Sequence, residues 1–247
     1  LPAVQGRVAF EHVSFGYDDD RLILKDVSFT AEPGQTIALV GPTGAGKTTI
    51  VNLLSRFYDP TEGRVTIDGY DIRDVTVKSL RAQVMAMMQE SFVFSGNIMD
   101  NIRYGRPDAT DEECIAAARS VYANIFIERL PNGYYTRVEE QGAGLSAGER
   151  QLLSFARIIL ADPKIIILDE ATSAIDTRTE VLIQKALAEL LKGRTSFVIA
   201  HRLSTIRSAD NIMCIANQGI AEQGSHDELM ARKGIYYELN LAQRKAV

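Results

Sequence analysis

Hydrophobic and polar positions alternate loosely over Arg7–Tyr17, which predicts a strand ending at the acidic turn Asp18-Asp19-Asp20. Val27–Glu32 predicts a second strand, closed by a turn at Pro33-Gly34. Thr36–Val40 is apolar and β-type throughout. Lys164–Leu168 is a near-continuous apolar run of the kind buried on both faces of a parallel sheet, and Ser196–Ala200 predicts another buried strand. Further strands are predicted at 64–67 and 84–88. From about 90 to 160 the strand signal fades and helical stretches take over. There Thr110-Asp111-Glu112-Glu113 has capping-box spacing and opens the helix that carries Ile115 to Val121. A helix over 177–192 places Ile183, Ala186, Leu187, Leu190 and Leu191 on one face and stops at Gly193. Asn211–Ala216 and Ile220–Gln223 predict a hairpin around Asn217-Gln218-Gly219. Ser225-His226-Asp227-Glu228 caps a last helical segment. The pattern predicts an α/β core with a helical insertion between two of its strands.

Between the strand Thr36–Val40 and a helix-compatible stretch, Thr48–Leu54, residues 41–49 read Gly-Pro-Thr-Gly-Ala-Gly-Lys-Thr-Thr. This is a full match to the phosphate-loop pattern GxxxxGK[ST] in its strand–loop–helix setting. Gly41, Gly44 and Gly46 allow the backbone to curl until successive N–H groups converge on an anion. The helix start adds its positive dipole end. Gly41, Thr43, Gly44, Ala45, Gly46, Lys47, Thr48 and Thr49 are therefore the candidate phosphate-binding positions. Lys47 is placed to reach the β- and γ-phosphates, and the Thr48 hydroxyl to ligate Mg²⁺.

The chain has 247 residues, 46% of them hydrophobic, enough for a substantial core. A net charge of −5 argues against a protein that coats nucleic acid. No apolar run approaches the ~20 residues of a membrane helix, and no signal peptide is recognisable. Cys114 and Cys214 follow no metal or redox spacing and are expected to be free thiols in a reducing compartment. The first residue is Leu1, so we expect a segment of a longer polypeptide whose membrane part lies outside it. His12 and His226 carry no motif and read as structural or surface residues. Asp18 to Asp20 read as a solvated turn rather than a metal site.

Residues 165–170 read Ile-Ile-Ile-Leu-Asp-Glu, a buried strand ending in two carboxylates. After a phosphate loop this is a Walker B pattern. Asp169 is expected to hold Mg²⁺ and Glu170 to polarise the water that attacks the γ-phosphate. Residues 145–151 read Leu-Ser-Ala-Gly-Glu-Arg-Gln and resemble LSGGQ, the signature of the ATP-binding cassette (ABC) ATPases, which plain phosphate-loop enzymes lack. Tyr17 looks like that family's adenine-stacking aromatic and Gln89 like its Q-loop glutamine, a further Mg²⁺ ligand. Ser173-Ala174-Ile175-Asp176 resembles the D-loop SALD, and His201 resembles the switch histidine. Phe92-Val93-Phe94-Ser95-Gly96-Asn97-Ile98, Arg202-Leu203-Ser204-Thr205-Ile206 and Gly224-Ser225-His226-Asp227-Glu228-Leu229 resemble the exporter branch. The resemblance runs from about residue 7 to 240.

It implies a P-loop NTPase (RecA-like) α/β core with an antiparallel β subdomain, over about 1–89 and 161–247. It also implies an inserted α-helical subdomain over about 90–160 that carries the signature. The implied activity is ATP hydrolysis that powers an exporter, with Lys47, Glu170 and His201 catalytic. A second ABC ATPase domain would close head to tail on this one, so that ATP meets Ser146, Gly148 and Glu149 of the opposing signature. Transmembrane domains on the same polypeptide, N-terminal to Leu1, would couple through the surface near 90–105, at the cytoplasmic face of the membrane. No nucleic-acid partner is implied. The alternative is a soluble ABC ATPase acting on nucleic acid or ribosomes. A phosphate-loop kinase would leave Glu170, the signature and His201 without a role.

The signature departs from LSGGQ at Ala147 and Glu149. A methyl group at 147 stands where the opposing nucleotide needs a close backbone. A carboxylate at 149 faces phosphate charge, and two unit charges ~6 Å apart at an effective dielectric of ~20 repel by roughly 3 kcal/mol. Equally, Ser146-Ala147-Gly148-Glu149 is a capping box that turns Glu149 onto its own helix. Departures confined to the signature, with the hydrolytic residues intact, lead us to expect a heterodimer. A homodimer that tolerates Ala147 and Glu149 is the alternative.

Overall fold

The computed structural model describes every residue except 19–20, 88–91, 170–174, 200–202 and 246–247. In chain order the first elements are β1 (Val8–Phe15), β2 (Leu24–Ala31), β3 (Thr36–Val40), α1 (Lys47–Leu54), β4 (Glu62–Ile67), β5 (Tyr70–Asp71), α2 (Val77–Gln83) and β6 (Val84–Met87). Next come β7 (Gly96–Asn97), α3 (Ile98–Arg103), α4 (Asp111–Ser120), α5 (Asn124–Ile127), β8 (Arg137–Val138), α6 (Ala147–Ala161), β9 (Ile165–Asp169) and α7 (Thr177–Leu191). The last are β10 (Thr195–Ile199), α8 (Leu203–Ser208), β11 (Asn211–Ala216), β12 (Gly219–Gly224), α9 (His226–Arg232) and α10 (Ile235–Lys245).

The chain divides into two compact units, one of residues 1–86, 164–170 and 193–247, the other of 87–163 and 171–192. In the first, a six-stranded sheet runs in the order β12-β11-β3-β10-β9-β6. β11, β3, β10 and β9 pair in parallel, and β12 folds back antiparallel on β11. Ile199 pairs with both Leu39 and Asp169, so β3, β10 and β9 end at one level. The carboxyl ends of neighbouring parallel strands are where open α/β sheets bind ligands. A second, antiparallel sheet runs β2-β1-β4-β5. Phe10 stacks on its cross-strand partner Phe29 at 4.5 Å, and Phe29 packs at 6.2 Å against Phe197 of β10, so both sheets feed one core.

β2 begins at Leu24, three residues before the alternation becomes readable. Asp26, at φ +50°, and shifts in the β1–β2 register break the period of two there. The β11–β12 loop has two residues rather than three: Asn217 and Gln218 both have positive φ, and Gly219 already pairs with Ala216. A further helix, α10, follows the expected last one. Its start is capped from a distance, because the Glu222 carboxylate accepts from the amides of Ile235 and Tyr236 at 3.0 Å each.

In the second unit α6 packs against α3, α4 and α7. The only described strands, β7 and β8, form a two-residue ladder. α7 (Thr177–Leu191) belongs to this unit, and α6 crosses close to its start. Among the described residues, no helix is long and apolar enough to cross a membrane.

Both cysteines are buried and free. Burial pushes both thiols up, Cys214 to about 12. Because the thiolate is the nucleophile, neither should react with a disulfide reagent at pH 8 until the chain unfolds, when both should titrate. A thiol that titrates in the folded protein would contradict this burial.

Candidate active site

The phosphate loop leaves the end of β3 and curls with Gly41, Gly44 and Gly46 at φ +146°, +78° and +108°. Gly41 is irreplaceable on two counts, since a Cβ there would also lie 2.3 Å from the carbonyl oxygen of Ile215 in β11. The Ala45 amide donates to Pro42 O at 3.2 Å, closing the turn, and Thr43 is exposed. Lys47 opens α1. Its ammonium donates to the carbonyls of Gly41 at 2.7 Å and Pro42 at 2.9 Å. Burial pushes the Lys47 pKa down, and the nearby Asp169 carboxylate partly offsets this. The cation is thus held over the loop with its two oxygens as the groups an anion would displace.

Thr48 is exposed at the first turn of α1, while Thr49 is buried. The Thr49 hydroxyl hydrogen-bonds with the Tyr17 hydroxyl at 3.2 Å, and Asn52 Nδ2 donates to the same oxygen at 3.3 Å. Phe15 and Tyr58 meet the Tyr17 ring edge to face at 5.1 Å each. Tyr17 remains 47% exposed, so its ring is oriented yet open to a ligand. Sequence reading missed Asn52 and Tyr58, and nothing in their spacing marked them. A cavity of about 290 Å³ opens beside the loop between Ile23, residues 42–45 and the β11–β12 turn. Gln218 pins that turn, donating to Leu22 O at 3.0 Å and accepting from the Lys25 amide at 2.8 Å.

Asp169 is the last residue of β9, in the same unit as Lys47. Gln89, Glu170, Ser173, Ala174 and His201 lie outside the described residues. A cradle of amides with one cation fits a phosphate group. The Thr48 hydroxyl and the Asp169 carboxylate are hard oxygen donors of the kind Mg²⁺ takes.

The signature lies in the second unit, at the start of α6. Ser146 is the N-cap: its hydroxyl oxygen accepts from the Glu149 amide at 3.3 Å, and Glu149 Oε2 accepts from the Ser146 amide at 2.8 Å. The capping box is therefore formed, and Glu149 is turned onto its own helix. Arg150 secures the approach by donating to Leu145 O at 2.6 Å. Gly148 fits α6 against α7. A Cβ there would lie 2.3 Å from Thr179 Cγ2 and 3.1 Å from Ile175 Cγ2. Asp176 caps α7 by accepting from the amides of Arg178 and Thr179 at 3.1 and 3.0 Å. The hydrogen bond from the Thr179 side chain, then those from backbone amides, holds its carboxyl below the usual range.

Gly148→Ala should therefore destabilise the fold. Alanine gains up to about 1 kcal/mol in helix propensity, but overpacking against the stiff, β-branched Thr179 costs about 1–3 kcal/mol. A calorimetric scan should show a lower unfolding midpoint. An unchanged or higher midpoint would mean that α6 and α7 do not cross this closely.

Residues 24–173 match the ABC transporter family. The chain is 52% identical over 242 residues to the Mycobacterium bovis "Fatty acid ABC transporter ATP-binding/permease protein", covering 98% of this chain and 38% of that protein. It is 52% identical over 240 residues to the Rhodopseudomonas palustris "Beta-(1-->2)glucan export ATP-binding/permease protein NdvA", covering 97% and 40%. It superposes on the structure of a bacterial Atm1-family ABC exporter with ATP bound at a TM-score of 0.91 and 47% identity, covering 98% of this chain and 42% of that one. The chain thus spans about two fifths of the length of these relatives.

Proposed function

Because the chain belongs to the ABC transporter family and has its P-loop NTPase α/β fold, we propose that it is the ATP-hydrolysing domain of an exporter. In this reading 1–247 is one ABC ATPase domain, with its core and β subdomain over about 1–89 and 161–247 and its helical subdomain over about 90–160. The observation that carries the reading is the phosphate loop: three glycines at positive φ around a lysine whose ammonium already caps the loop.

The roles follow from chemistry. Tyr17 presents a ring face to adenine. The amides of 41–49 and Lys47 bind the phosphates, and their fixed dipoles stabilise the charge that develops as the γ-phosphoryl group leaves. Thr48, Asp169 and Gln89 would hold Mg²⁺, which would supply charge neutralisation at the phosphates. Glu170 takes the proton of the attacking water, and His201 orients the terminal phosphate. Ser146 keeps a hydroxyl proton for phosphate, because only its oxygen is used in the cap. Fused membrane domains are supported by relatives named as ATP-binding/permease proteins; in this reading they lie N-terminal to Leu1 and hold this domain at the cytoplasmic face. Relatives of equal identity are named for a fatty acid and for a glucan, so likeness over this domain does not identify the substrate.

The partner is a second ABC ATPase domain. Ala147 supports the heterodimer expected from the sequence. The formed capping box supports the homodimer instead, because it draws the Glu149 carboxylate onto the Ser146 amide. The full-length protein, purified after expression alone, decides between them. A homodimer with vanadate-sensitive ATPase, unimproved by Ala147→Gly with Glu149→Gln, establishes the homodimer. A weakly active protein that those substitutions rescue establishes the heterodimer. No ATPase in either form would refute the functional reading.

A further inference from the structure

Arg157 is the one charge in the apolar run Leu152–Leu160 of α6. Its guanidinium goes to neutral groups of the segment 92–101. Nε donates to Asn101 O at 3.0 Å, and the two terminal nitrogens donate to Phe92 O at 3.1 Å and Asn101 Oδ1 at 3.2 Å. The Phe94 ring lies 5.3 Å from its centre. Asn101 is 1% exposed and fully used: its amide donates to the carbonyls of Phe94 and Asn97 at 2.9 and 3.0 Å, and Oδ1 also accepts from the Phe94 amide at 2.9 Å. The backbones are close as well, since a Cβ on Gly105 would lie 2.1 Å from Arg157 O. On the outer side Phe94 stacks on Tyr104 at 4.0 Å and meets Phe92 edge-on at 4.9 Å. Tyr104 and Phe92 are 60% and 49% exposed.

A leucine would fill this site without desolvating a cation, and a lysine has no rigid fork to hold three oxygens at once. We infer that Arg157 and Asn101 are positioning residues that lock the aromatic surface 92–104 to α6, so that surface and signature move as one body. Ser146 caps the same helix 11 residues earlier, roughly 16 Å along its axis. This rests on the proposed function, in which the signature closes on ATP and the surface near 90–105 meets the membrane domains. The strut then carries closure from one to the other.

The test uses the full-length protein in lipid nanodiscs, with spin labels in the membrane part and ATP plus vanadate as the probe. Arg157→Lys should keep ATPase within about twofold of wild type. It should cut the fraction of molecules whose label distances shift by at least about threefold. A full shift in Arg157→Lys, or ATPase and shift lost together, would overturn the strut. Should that variant not fold, hydrogen exchange on the unmodified protein decides: 92–104 and 147–161 should open as one unit, and independent opening of 92–104 would overturn it. A wild type without vanadate-sensitive ATPase would refute the functional reading itself, and the strut with it.

Discussion

Lys47→Ala should abolish tight ATP binding. The lysine supplies the fixed cation of the loop, and charge-assisted hydrogen bonds contribute about 1.5–3 kcal/mol each. Losing two of them lowers affinity by roughly a hundredfold to ten-thousandfold. The fold should tolerate the change, because the Gly41 and Pro42 carbonyls that Lys47 now serves are at least partly exposed and water replaces the ammonium. A calorimetric titration of the full-length variant with ATP checks the affinity, and a thermal scan checks the fold. Unchanged affinity in a folded protein would sink the assignment of 41–49 as the phosphate site.

Glu170→Gln should leave ATP binding intact and slow hydrolysis by about 10²–10⁴-fold, the typical contribution of a positioned base. The amide keeps the shape of the carboxylate and cannot take a proton, so the loss should fall on kcat rather than on KM. ATP-bound dimers should accumulate, because the step that reopens them is blocked. Near-normal turnover would mean that another group activates the water.

The parts of this protein that were legible in its sequence are those set by local physics. The phosphate loop, the buried strands read at 36–40 and 164–168, the second forming one residue later at 165–169, and the capping boxes at Thr110, Ser146 and Ser225 all depend on residues a few positions apart, and all form. What was not legible depends on distant partners. The start of β2 is hidden by a bulge at Asp26, and α10 is capped by Glu222 from another element. Gly148 reads as a signature glycine, yet its immediate neighbours are Thr179 and Ile175, 31 and 27 positions away in the chain. Tyr17 was legible as an aromatic at a strand end, but its orienting partners Asn52 and Tyr58 were not. Arg157 did carry a signal, a lone charge inside an apolar helix face. Its meaning appeared only with Asn101, 56 residues before it.

The central claim is that ATP is held between the phosphate loop of one domain and the signature of another. Trapping the full-length protein with ATP, Mg²⁺ and vanadate, irradiating it, and mapping the backbone cuts tests this directly, because photoactivated vanadate cleaves only the chain that touches it. The expected result is cleavage at 41–48 together with a cut in a signature, at 145–149 in a homodimer or in the partner domain's signature in a heterodimer, all abolished by Lys47→Ala. Cleavage confined to the phosphate loop, with the signatures of both domains intact, would contradict the shared site.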